Sequence, residues 1–218
     1  MNKFKLLVMC GVFGLMVGCA KGSNGLPYDA WRLGLGAPDY MEVWIETADA
    51  VDVRDRVFKR AMSGVAAINT PKSLKGNTRG WPSYPGWGAG KYVYGAAVPR
   101  LIYVRWQSLV EPQTYEAYIV IPQAIQQAMV KPEKAFCEFD TKWITGYRKG
   151  VTVGLAPGGI AKVWITGPCV SPIEVARVQG EVVKEGPDGG RSGGNYALPL
   201  KPETKAYIEK YGVPYGSW

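Results

Sequence analysis

Leu101-Ile102-Tyr103-Val104-Arg105-Trp106-Gln107-Ser108-Leu109, followed across Val110-Glu111-Pro112-Gln113-Thr114 by Tyr115-Glu116-Ala117-Tyr118-Ile119-Val120-Ile121, is the stretch that decides the fold. Side chains alternate across a strand with a period of two, which puts Ile102, Val104 and Trp106 on one face of the first run. Tyr115, Ala117, Ile119 and Ile121 share a face of the second in the same way. Two such runs around a short Pro-containing connection predict an antiparallel hairpin. Residues 151–155 and 160–165 repeat the arrangement around Ala156-Pro157-Gly158-Gly159.

Outward from these hairpins the pattern stays mostly β. Residues 31–37 and 41–47 are short apolar runs broken by Ala37-Pro38-Asp39, and residues 51–58 alternate Val with Asp and Arg as a half-exposed strand would. Residues 92–97 and 173–184 read as further strands, the second one long. Pro122 stands where a first helical residue would, ahead of the helix formers of residues 123–130, and residues 202–211 form a second helix with Gly212 as its stop. Strands do not alternate regularly with helices, so the expected class is mainly β or α+β, an antiparallel sheet or sandwich with two or three short helices. The expected organisation is one globular β-rich domain over residues 28–218.

The chain has 218 residues, 47 % of them apolar and 12 % aromatic, enough for one sizeable core. It carries 26 Lys and Arg against 18 Asp and Glu, a formal charge of +8, and no His. Without imidazole a Ser-His-Asp or Cys-His nucleophile, a His-ligated metal site and a pH switch near neutrality are excluded. The expectation is a protein without catalytic activity, cofactor or metal.

Lys3 and Lys5 precede the apolar residues 6–17 and then Gly18-Cys19. This is the layout of a secretory signal, and twelve residues rise only about 18 Å as a helix, too little to span a bilayer. Leu15-Met16-Val17-Gly18-Cys19 resembles the bacterial lipobox, with Met16 in place of the more usual Leu. The expectation is a lipoprotein signal peptide over residues 1–18, lipidation at Cys19, and a flexible tether over residues 19–27 rich in Gly, Ser and Asn. The membrane is then a partner through the N-terminal lipid, and two acyl chains anchor stably. Ala20 is not the Asp that retains enteric lipoproteins at the inner membrane, so the expected address is the periplasmic side of the outer membrane. Removing Lys3 and Lys5 lowers the formal charge by two, to +6, which suits anionic lipid or an acidic partner better than nucleic acid.

Cys10 leaves with the signal and Cys19 is lipidated, so Cys137 and Cys169 remain for an oxidising compartment and read as one disulfide. Two buried free thiols or a redox pair are the rivals, although neither Cys belongs to a Cys-x-x-Cys arrangement.

Residues 69–90 form a long stretch of Pro, Gly, Lys and aromatics with little periodicity, and loops of that length are often functional. Within it Trp81, Tyr84 and Trp87 stand among turn formers, beside Arg79. Such a loop either folds its rings down as a lid on the core or presents Trp81, Tyr84, Trp87 and Arg79 to a partner. Gly186-Pro187-Asp188-Gly189-Gly190-Arg191-Ser192-Gly193-Gly194 lacks the Gly-Lys-Ser/Thr ending of a phosphate loop and reads as a surface loop. Glu138 and Asp140, alternating with Phe139, read as solvated edge residues, and Trp143-Ile144-Thr145-Gly146 echoes Trp164-Ile165-Thr166-Gly167 as two strand ends entering similar turns.

The run from Pro99-Arg100-Leu101 to Tyr115, together with Gly154-Leu155-Ala156-Pro157-Gly158-Gly159, Gly167-Pro168-Cys169 and the ending Tyr211-Gly212-Val213-Pro214-Tyr215-Gly216-Ser217-Trp218, resembles the DUF2931 family of proteobacterial lipoproteins. The likeness extends to Trp31-Arg32-Leu33-Gly34 and Ala37-Pro38. It implies no catalytic residue. It implies instead a periplasmic immunity role, because such proteins resemble components encoded near secreted phospholipase effectors of type VI secretion systems. The competing expectation is an envelope lipoprotein of ligand-binding or structural role, whose sign would be a preformed pocket. Protruding loops would be the sign of the immunity role.

Overall fold

The hairpin that decides the fold forms as its alternation predicts. In the computed structural model, which describes residues 24–218, β5 (Pro99–Ser108) and β6 (Gln113–Val120) pair antiparallel with Val104 opposite Ala117 and Trp106 opposite Tyr115. Ile102, Val104, Trp106 and Ile119 are fully buried. The segment read as a signal peptide, residues 1–18, and the expected lipidation site Cys19 lie outside the described residues.

The remaining strands are β1 (Ala30–Gly36), β2 (Val43–Asp52), β3 (Val57–Val65), β4 (Ala89–Tyr94), β7 (Glu133–Cys137), β8 (Lys142–Gly146), β9 (Gly150–Ala156), β10 (Ile160–Gly167), β11 (Val170–Gln179) and β12 (Glu181–Val182). They make two five-stranded sheets, ordered β11-β10-β9-β1-β4 and β12-β6-β5-β2-β3, and a separate β7-β8 hairpin. Pairing is antiparallel throughout the named strands except between β1 and β9, which run parallel. The sheets pack face to face. Trp31, Leu33, Leu35, Val151, Val153, Leu155, Val163 and Ile165 of the first meet Ile45, Ala48, Ile102, Val104, Trp106 and Ile119 of the second in one apolar core. The helix α1 (Gln123–Val130) inserts Met129 into the same core. The closing helix α2 (Pro202–Tyr211) ends at Gly212, where φ is +72°, and stacks Tyr207 on Tyr40 at 4.3 Å over a smaller cluster with Met41, Ala156 and Trp218. Among the described residues no helix is long and apolar enough to cross a membrane.

The structure corrects three readings of the pattern. The alternation over residues 51–58 is interrupted by a turn rather than being one strand: Asp52 is fully buried, and its carboxylate accepts the Arg54, Arg56 and Ala97 backbone N–H groups. The long strand over residues 173–184 breaks at Gly180 and changes sheets, β11 pairing with β10 and β12 with β6. A Cβ at Gly180 would stand 2.7 Å from the Trp106 ring and 3.0 Å from two backbone oxygens. The packed chain also reaches back to Asn24, earlier than residue 28. Leu26 is buried in the core, and the Asn24 amide donates to the Asp29 carbonyl at 3.3 Å.

Candidate functional site

The outward face of the first sheet is poor in side chains. Gly34, Gly36, Gly150, Thr152 and Gly154 occupy alternate positions of β1 and β9 whose neighbours point into the core. That leaves a shallow bed on which the segment between β3 and β4 lies down. Trp81 crosses Gly154, where a Cβ would clash with its ring, and meets Trp164 edge-on at 5.4 Å. Trp87 covers Gly150, with 2.7 Å between its Cζ3 and the position a Cβ would take. The far end of the loop is clamped by Arg32, whose guanidinium donates to the carbonyls of Trp87, Gly88 and Gly90. The near end is held by Trp218, which donates to the Thr78 carbonyl at 3.0 Å, while the Gly80 N–H donates to Ser217 at the same distance.

Of the residues picked out in this loop, Trp81 and Trp87 are half-buried against the sheet, whereas Arg79 and Tyr84 stay exposed. The Tyr84 hydroxyl donates to the Gly167 carbonyl at 3.3 Å, and burial of its oxygen pushes its pKa up. Between loop and sheet remains a cavity of about 450 Å³ with Trp81, Trp164 and Pro82 on its walls and Asp39, Asn77 and Thr152 as polar groups. The Asp39 carboxylate there is fixed by the Asn77 N–H at 2.8 Å and the Asn69 amide at 3.2 Å.

A second feature protrudes. Cys137 and Cys169 form a disulfide that ties the β7–β8 hairpin to the turn between β10 and β11, their Cα atoms 5.0 Å apart. The Arg148 guanidinium adds a pair of hydrogen bonds to Glu133 at the hairpin's base, which holds the Glu133 carboxyl below its ordinary range. Ala135, Cys137, Ile144 and Gly146 face inward, and Phe136 and Trp143 face out as a cross-strand pair with ring centroids 5.7 Å apart. At the tip Phe139 is 97 % exposed between Glu138 and Asp140. Beside it an open groove of about 570 Å³ is lined by Tyr84, Phe136, Phe139, Ser171 and Pro172, with the disulfide in its floor.

Sequence reasoning singled out Tyr84 and both cysteines, noted Phe139 only as part of a solvated edge and Trp143 only as part of a strand-end echo, and passed over Phe136. The signal was present: three aromatics within eight residues, in a stretch otherwise dominated by Lys, Glu and Asp around one Cys. A chain with few inward apolar positions to pack cannot hide that many rings.

The comparisons agree with the resemblance carried by the hairpin motifs. No curated protein and no solved structure matches the chain. The family model described as "Protein of unknown function (DUF2931)" matches residues 19–216, both sheets, the lid and the protruding hairpin included, so the chain belongs to the DUF2931 family.

Proposed function

We propose that this chain is a lipid-anchored, non-enzymatic binding protein of the periplasmic face, an immunity protein that neutralises a phospholipase effector of a type VI secretion system. The observation that carries the reading is Phe139, 97 % exposed at the tip of a disulfide-pinned hairpin beside an open aromatic groove. Covering a Phe side chain contributes about 1.5 to 3 kcal/mol, and a pinned backbone reduces the ordering cost of binding. Glu138 and Asp140 beside the ring select a protein surface with Lys or Arg around an apolar recess. Occlusion of an effector in this way needs contact and no turnover.

A second reading, a ligand-binding envelope lipoprotein, is favoured by the roofed cavity of about 450 Å³. One experiment separates the two. Cells co-expressing a candidate effector are protected by the wild-type chain, which co-purifies with it. In the immunity reading Phe139→Ser combined with Tyr84→Ser abolishes both protection and co-purification, and Trp81→Ala leaves both intact. Full protection by the double variant sinks the immunity reading. The ligand-binding reading expects Trp81→Ala to be the variant that fails.

A further inference from the structure

The registers place several chain ends at one pole of the first sheet. Ala30 at the start of β1 stands opposite Tyr94 at the end of β4, Arg32 lies beside Gly150, and Gly150 stands opposite Thr166, just before the Gly167–Val170 pair. The hairpin is fastened to this same pole by the disulfide and by Tyr147, whose ring meets Tyr28 at 5.5 Å.

The pole is ringed by exposed aromatics and lysines. Tyr94 is 70 % exposed, its ring 6.0 Å from that of Tyr92, and the two share a recess with Tyr28, the half-buried Lys149 and one exposed carboxylate, Asp29. On the outward side of the hairpin Trp143 is 64 % exposed with the Lys134 ammonium 5.8 Å from its ring. Tyr and Trp concentrate where headgroups meet hydrocarbon, because their bodies are apolar and their tips polar. Lysines within a few ångströms of the surface are attracted to anionic headgroups.

We propose that this pole rests directly on the lipid surface, with Trp143 and Tyr94 in the interfacial layer and Lys134 and Lys149 toward the phosphates. The proposal rests on the reading of Cys19 as the lipidated residue. Cys19 precedes Asn24 by five residues, which reach at most about 17 Å fully extended, so the pole where the chain enters the fold cannot stand far from the bilayer. Of the aromatic positions on the hairpin, Phe139 is the one flanked by carboxylates, and it is left to the protein contact; Phe136, which lines the groove and meets the Trp143 ring at 5.7 Å, stands at the border between the two surfaces.

The test uses the full chain purified from the membrane fraction and reconstituted into phosphatidylethanolamine and phosphatidylglycerol vesicles with brominated acyl chains. Tryptophan emission is expected to be quenched, and the quenching to fall in Trp143→Phe with the circular dichroism unchanged. Equal quenching of both proteins overturns the proposal, as does loss of effector capture in Trp143→Ser with quenching unaltered, which would assign this face to protein. The mass of the purified chain reports separately on Cys19. An acylated chain without Trp143-dependent quenching keeps the anchor and removes the lipid face. An unacylated chain that still shows that quenching on added vesicles does the reverse, and a chain with neither removes both.

Discussion

Asp52 is a residue whose surroundings decide a whole turn. Burial alone would raise its pKa, but the Ala97 N–H, the Arg56 guanidinium and the Arg56 and Arg54 N–H groups all bond the charged form and outweigh burial, so the carboxyl is held below its ordinary value. Removing it strands buried donors, and Asp52→Ala is expected to cost about 3 kcal/mol in urea unfolding at pH 7. A depressed carboxyl contributes its stability in full above the unfolded value, about 4, and loses it as pH falls through the folded value. The gap between wild type and Asp52→Asn is therefore expected to be wide at pH 7 and to shrink at pH 3. An unchanged gap would show that the carboxylate's charge is not what holds the turn. The alternation of Val and charged residues was legible, yet it could not distinguish an exposed Asp from one that organises a turn, because the donors come in part from Ala97, far along the chain.

At the scale of elements, legibility followed the apolar period. The two long hairpins, α1 and α2 all carry buried faces, and each stood out in the sequence. β7 and β8 bury only alternate small or isolated residues, Ala135, Cys137 and Ile144, so no apolar alternation announced them. The lid was half legible: Trp81 and Trp87 were noticed, while the bed of Gly34, Gly150 and Gly154 that receives them was spread over two strands far apart in sequence. The disulfide closes a separation of 32 residues, worth about 3.5 to 4 kcal/mol in the chain-entropy model. Cys137→Ser with Cys169→Ser is expected to lower the unfolding free energy by that order and to leave the far-ultraviolet circular dichroism of the sandwich unchanged, since the main core lies between the two sheets and not under the hairpin. Loss of the sandwich signal would show that the hairpin is part of the folding core.

Across the whole molecule the two sheets are joined by a strand that changes partners. Gly180 makes the crossing possible by letting the backbone pass against Trp106, Glu116 and Gly159, and its N–H donates to the Gly159 carbonyl at 2.7 Å. Gly180→Ala forces that contact apart and is expected to destabilise the fold by about 2 kcal/mol, read as a lowered urea midpoint. An unaltered midpoint would mean that the two sheets tolerate separation at this seam. The chain's composition bears on the same scale: 26 Lys and Arg against 18 Asp and Glu give a formal charge of +8, and a basic surface is attracted to anionic partners.

The parallel pair of β1 and β9 also sets an order of events. Arg32 finds its neighbour Gly150 only after more than a hundred intervening residues have been made, and β4, the other neighbour of β1, is an edge strand. Contacts that distant are slow to form, because the loop between them must close first. The amino-terminal half of the chain therefore has no complete first sheet to collapse into while the rest is still being synthesised. The second sheet can pair β2, β3, β5 and β6 earlier, so the sandwich gains its other face only when the last third of the chain supplies β9, β10 and β11.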